Sequence, residues 1–296
     1  MEKKMSEKEM QDSVMRFLFD NHGVRGEIMH MRAPAAELIA HDYPASVKKL
    51  LLELASAAVL VAATLKDGSE ISLQIKGSEN APLKYALVNI SQDLSFYGSA
   101  SINQETSFPD NEDADLEQLT GKDGVLILSV FPESGTKWQG VVALDTNSIS
   151  ASLQKYFQES QQLPTNFFIW SDTQKQETGG VLLQIIPEIE GNLESLEHLS
   201  VLTASLTKEE LFNLPKTECL SRLFAHEQVR IFKEKPTKFK CVCSKERCLN
   251  ALRQLDRDTL LDMVDEGKAE MTCQHCGKHY TFSQSDLKSL LLEVSQ

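Results

Sequence analysis

Four thiols in this chain, Cys241, Cys243, Cys273 and Cys276, are spaced to hold one metal ion. Cys241-Val-Cys243 and Cys273-Gln-His-Cys276 are two close pairs. Each pair can grip the same ion, and residues 244 to 272 are enough chain to fold back and bring the pairs together. An all-thiolate pocket suits zinc best among the common cellular metals. Gly277, next to Cys276, permits the tight turn in which backbone N–H groups approach a thiolate. The same sulfurs are open to peroxide or hypochlorite, and an oxidised sulfur no longer serves as a ligand. Spacing alone therefore leaves two readings open, a structural zinc clip and a redox switch. Cys248, five residues past Cys243, reads as a spectator thiol, and Cys219 as a packing residue on an apolar helix. With four thiolates at hand, His275 and His279 are surplus as ligands.

The rest of the chain sets the conditions under which such a site would work. Its 296 residues allow a large core domain and one smaller module. A net charge of −13 disfavours an electrostatic grip on nucleic acid, and basic and acidic residues balance from Thr237 onward. The start, Met1-Glu-Lys-Lys-Met5, is charged with no apolar segment behind it, which reads as no export signal. The most apolar stretch, Leu50 to Leu65, contains Glu53 and is too short for a membrane span. A cytoplasmic protein is expected, and there thiols are kept reduced. No phosphate-cradling P-loop is visible, so nothing suggests an ATPase.

The elements that must position the thiols begin with an α/β (α+β) core over residues 1–187. Asp12 to Phe19, with Val14, Met15, Leu18 and Phe19 at helical spacing, predicts a short helix. Tyr43-Pro44 opens a second, largely buried helix running to about Leu65. Lys66-Asp67-Gly68 predicts a turn. Strands are expected at Glu70–Lys76, Lys84–Asn89, Gly124–Phe131, Gln139–Leu144, Asn166–Trp170 and Val181–Ile186, and a helix at Ile149–Gln161. Asn103 to Gly121 is acidic and irregular and predicts a solvated loop. Past Pro187 the pattern turns helical, and residues 188–238 predict a helical linker lying on the core. Leu193, Leu196, Leu199, Leu202 and Leu206 fall close to one face, Thr207-Lys-Glu-Glu210 predicts a capping box, and Pro215 ends a short helix. If the linker lifts off the core, that leucine face becomes an exposed apolar patch. Residues 239–296 then form a module small enough to need a metal or disulfides for stability.

Cys241-Val-Cys243-Ser244-Lys245-Glu246-Arg247 followed by Cys273-Gln-His-Cys276-Gly277 resembles the C-terminal switch of the 33-kDa heat-shock chaperone family, the oxidation-activated holdases. The likeness covers nearly the whole chain. It includes Arg16-Phe17-Leu18-Phe19, Gly23-Val24-Arg25-Gly26-Glu27, Gln139-Gly140-Val141-Val142, Gln162-Leu163-Pro164-Thr165, Gly179-Gly180-Val181-Leu182-Leu183-Gln184 and Leu223-Phe224-Ala225-His226-Glu227. Ser78-Glu79-Asn80-Ala81-Pro82 departs from the family's more Gly-rich turn. The resemblance implies one zinc ion in a reduced, inactive protein. It implies that oxidative stress forms Cys241–Cys243 and Cys273–Cys276 disulfides, expels zinc and unfolds the switch and linker. Exposed apolar surface would then hold unfolding client proteins without ATP, in a homodimer. Two rivals stand beside it: a thiol–disulfide oxidoreductase using Cys273 and Cys276, and a zinc-ribbon adaptor for nucleic acid or a protein. An oxidoreductase would set its CxxC at a helix N-terminus, whereas Gly277-Lys-His-Tyr280 predicts a turn into a strand.

Overall fold

A computed structural model describes residues 12–294, apart from 66–68, 110, 113, 146, 147, 188 and 190. The turn expected at Lys66-Asp67-Gly68 and the charged start lie outside the described residues. The chain divides into two compact units after Lys240.

The larger unit opens with β1 (Ser13–Phe19) and β2 (Val24–Met31), then α1 (Ala33–Leu38) and the long α2 (Ala45–Thr64). β1 corrects the helix expected over Asp12–Phe19. Its apolar residues fit either period over so short a run, and the pairing shows why neither face is polar. β1 lies inside a sheet, antiparallel to β2 on one side and to β10 (Val229–Ile231) on the other. Val14 faces one apolar cluster while Met15, Phe17 and Phe19 face the other. A strand covered on both faces reads as a continuous apolar run, not as an alternation.

β3 (Glu70–Lys76), β4 (Leu83–Ile90) and β5 (Ser95–Ile102) follow, then α3 (Leu116–Thr120), β6 (Val125–Phe131) and β7 (Trp138–Ala143). α4 (Ile149–Glu159) precedes β8 (Thr165–Asp172) and β9 (Glu177–Ile185). The expected strands and the α4 helix are in place. The expected solvated loop contains one short helix, α3, which Asp115 and Gln118 close with a capping box. β2 and β5 were not expected. The buried Glu27 and His30 hide β2 in a polar-looking sequence, and Gly98 and three serines do the same in β5.

One sheet runs in the order β10-β1-β2-β9-β8, with β11 (Lys235–Pro236) also on β1. The second runs β12-β5-β4-β3-β6-β7, where β12 is Lys238–Phe239. α2 is buried on nearly every side between the sheets, and Leu51, Leu54, Ala58 and Val61 belong to the main core with Leu73, Val88 and Leu128. The far face of the first sheet carries α5 (Asn192–Thr203), α6 (Lys208–Asn213) and α7 (Lys216–Leu223) over Phe17, Phe19, Val181 and Leu183.

These three helices occupy the first part of the expected linker. Helix ends at Leu223, and Val229–Phe239 is extended, pairing with β1 through β10 and β11 and with β5 through β12. The candidate leucine face is split. Leu196, Leu199 and Leu206 are buried on the sheet, Leu202 is half-buried, and Leu193 points to solvent at 55% exposure. The Thr207/Glu210 capping box forms as expected.

The smaller unit contains α8 (Lys245–Leu252), α9 (Arg257–Glu266), the hairpin β13 (Lys268–Thr272) and β14 (His279–Ser283), and α10 (Gln284–Val294). Its buried apolar core is small: Leu252, Leu260, Val264, Ala269, Tyr280, Phe282, Leu287 and Leu290.

Candidate metal centre

Two local structures deliver the thiols. Cys241 and Cys243 lie on the extended segment before α8, which Ser244 caps by accepting a hydrogen bond from the Arg247 N–H at 3.1 Å. Cys273 and Cys276 lie in the loop of the β13–β14 hairpin. There the Gly277 N–H donates to the Cys273 carbonyl and the Cys273 N–H to the Lys278 carbonyl, both at 2.9 Å. Gly277 sits at φ +69°, a left-handed conformation that a side chain would strain.

The four sulfurs converge, all within 4.8 Å of one another. Cys241 Sγ is 3.6 Å from Cys273 Sγ, and Cys243 Sγ is 3.4 Å from Cys276 Sγ. A regular tetrahedron with zinc–sulfur bonds of about 2.3 Å has edges of about 3.8 Å. The spacing is close to that edge and far from the roughly 2.05 Å of a disulfide. The residues present therefore fit a tetrahedral thiophilic ion such as zinc.

The surroundings support negative charge on sulfur. The Tyr280 hydroxyl donates to Cys243 Sγ at 3.0 Å, and the His275 backbone N–H to Cys273 Sγ at 3.4 Å. Burial opposes ionisation of Cys243, but the Tyr280 hydroxyl and the three other thiols outweigh it and bring Cys243 down to about 7. Burial pushes Cys241 and Cys276 the other way.

Cys248 stays outside this group and packs on the small core, with burial raising its pKa. Cys219 lies in the larger unit, 1% exposed among Phe212 and Leu220, with its thiol on the Glu210 carbonyl and pushed by burial to about 11. His279 Nδ1 is engaged by Thr272 Oγ1 at 2.9 Å, in the cross-strand pair that closes the loop carrying Cys273 and Cys276. Tyr280 is the functional residue that sequence reasoning missed. The alternation of His279–Ser283 could have marked it as inward-facing, but only the hairpin register places its hydroxyl on Cys243.

A set of polar ties pins the docked helices to the first sheet. Glu227 accepts from both His22 Nε2 at 2.6 Å and His198 Nε2 at 2.9 Å, joining the β1–β2 turn to α5. Lys208 pairs with Asp172 at 2.9 Å, and Asn166 donates to Ser200 at 2.7 Å. Phe224 packs edge-on against Phe19 at 4.8 Å, and Phe212 stacks on His30 at 5.0 Å.

No described helix is long and apolar enough to cross a membrane. The family described as Hsp33 protein matches residues 12–283. Proteins named 33 kDa chaperonin from Yersinia pestis (strain Pestoides F) and Yersinia pseudotuberculosis (serotype O:1b, strain IP 31758) are each 38% identical over 283 residues, covering 94% of both chains. The crystal structure of the 33 kDa chaperonin from Thermotoga maritima superposes with a TM-score of 0.78 at 28% identity, over 96% of this chain and all of that one. The match spans both the sheet unit and the cysteine unit, and the chain belongs to the Hsp33 family of chaperones.

Proposed function

We propose that this chain is a redox-regulated, ATP-independent holdase of the cytoplasm, inactive while reduced and zinc-bound. Residues 1–187 serve as the core, 188–238 as the linker and 239–296 as the switch. The convergence of four sulfurs in a unit with so small an apolar core is the observation that carries this reading. Zinc, when bound by Cys241, Cys243, Cys273 and Cys276, would keep all four as thiolates and supply about 10–16 kcal/mol, much of it folding energy.

Oxidation converts these ligands into bonds that cannot serve the ion. In each pair two thiolates give two electrons to a peroxide, whose O–O bond breaks and, with two protons taken up, leaves as two waters. The sulfurs join as Cys241–Cys243 and Cys273–Cys276. The 3.6 and 3.4 Å sulfur approaches lie between the pairs, so the local pairing rests on the family resemblance. Two local disulfides leave the small core without its central tie. Cys241 follows directly on the extended segment that runs from the docked helices through β10, β11 and β12. Disorder propagating into that segment frees α5–α7 and uncovers Leu196, Leu199 and Leu206 for clients, in an activated homodimer. The oxidoreductase rival is disfavoured by Cys273 and Cys276 lying in a hairpin loop rather than at the start of a helix.

Light scattering from a heat-unfolded client tests the proposal. Peroxide-oxidised, zinc-depleted protein is expected to suppress aggregation, and reduced zinc-loaded protein is not. Equal suppression by both, or by neither, would reduce the cysteines to a structural clip.

A further inference from the structure

We propose that the free edge of β7 is a docking strand for extended, uncharged segments of unfolding proteins. The inference rests on the holdase reading above and adds to it a second contact surface, on the core.

β7 ends its sheet and pairs with β6 alone. The phase of the ladder follows from the Leu144 N–H, which donates to the Gly124 carbonyl at 2.9 Å. Hydrogen-bonded pairs recur every second residue in an antiparallel ladder, so Val142, Gly140 and Trp138 spend their backbone groups on Leu126, Leu128 and Val130. Gln139, Val141 and Ala143 then aim N–H and C=O away from the sheet. Among the described residues nothing takes those groups up.

The strand is held from its inner face. A Cβ on Gly140 would fall 2.3 Å from the Tyr156 ring, and Trp138 stacks on the same ring at 6.4 Å. α4 therefore fixes β7 in place and leaves the edge open, with Val141 56% exposed.

Natural sheets blunt long edges with charge, proline, bulges or cover. Two other edges are blunted in that way: β12 has two residues, and β10 has three with Arg230 tied to Asp20. Trp138-Gln-Gly-Val-Val-Ala143 carries none of these devices.

The chemistry of the occupant follows from the edge. A row of alternating donors and acceptors selects an extended backbone, and an uncharged strand selects an uncharged partner. This is strand addition, in which main-chain bonds give affinity and side-chain pockets give preference. A cavity of about 340 Å³ bordered by Trp138, Leu128, Phe157 and Leu65 lies beside the start of the strand and has room for an apolar side chain. A second copy of this chain is the rival occupant, and self-association separates it from a client in the test below. Three outward residues give weak binding alone, so retention of a client also needs the apolar face that the linker uncovers.

The test uses full-length oxidised protein and heat-unfolded malate dehydrogenase as the probe. Val141→Pro removes an outward N–H without taking a bond from the β6 ladder. Val141→Lys keeps every backbone group and adds the charge that blunts an edge, and it carries the test if the proline variant does not fold. Both variants are expected to bind the probe about tenfold more weakly than wild type. In the wild-type complex, Gln139, Val141 and Ala143 amides should gain protection from hydrogen exchange. Wild-type affinity in folded variants would overturn the inference. So would loss of self-association with client binding intact, which would assign the edge to a second copy. If oxidised wild type itself fails to hold the probe, the holdase reading falls first, and that outcome is distinguishable because it precedes any comparison of variants.

Discussion

Tyr280 shows how one hydroxyl outside the thiol set can tune it. Its hydrogen bond to Cys243 Sγ orients the sulfur and shares its charge, as outer partners commonly do for metal ligands. Tyr280→Phe keeps the ring in the small core and removes only that bond. We expect zinc to be held about tenfold less tightly in competition with a chelator, with the fold of the reduced protein retained. An unchanged zinc affinity would make the contact incidental. The thiols themselves were legible because each pair is local, and a close spacing along the chain is also a close spacing in space. Tyr280 was not legible, since its role depends on which residues face each other across the hairpin. Cys219 and Cys248 illustrate the opposite case, thiols whose meaning is set by what packs around them.

At the level of elements, the docked helices decide what is hidden. Leu199 is fully buried between α5 and the first sheet. Leu199→Ala should cost about 2–5 kcal/mol, most of it in the docking of α5. Reduced Leu199→Ala protein is then expected to suppress client aggregation in part without oxidant. A variant as inactive as reduced wild type would argue that the linker does not cover the client surface. His30 adds a pH dependence to the same interface. Burial, then Lys216 and Arg32, bring its imidazole down to about 4, although the Glu177 carboxylate is 3.5 Å away. Burial prevails because Glu177 is already engaged by Arg32 at 2.9 Å, leaving His30 neutral under Phe212. A histidine depressed on folding contributes stability that is present above its unfolded value of about 6.5 and lost as the pH falls toward 4. The urea midpoint of wild type should fall between pH 6.5 and 4, and His30→Gln should flatten that fall. Parallel profiles would contradict the assignment. Element types were read well where one face is polar, as in β3 and α4. They failed in β1, where two covered faces erase the alternation, and in β2, where buried Glu27 and His30 imitate a polar segment. The extended course of Val229–Phe239 was equally invisible, because short strands are defined by their partners.

On the scale of the whole chain, a small unit with four converging thiols follows a sheet unit whose apolar face is covered by its own helices. The division after Lys240 places the four thiols in the smaller unit and the leucine face in the larger. In the proposed switch, the segment that precedes Cys241 joins the two along the chain. Sequence patterns mark a change of element type near Pro187, where a run of leucine-bearing helices replaces alternating strands. They could not show that these helices, the β10–β12 segment and the core form one compact unit, since that follows from docking and pairing over long sequence distances. The central claim is that loss of the metal releases the client-binding surface. It is tested most directly by following zinc release with an indicator dye and client light scattering in one peroxide-treated sample. The account predicts no protection while zinc is retained, with protection rising only as zinc is released. Full protection before zinc leaves, or complete zinc release with no protection, would contradict it.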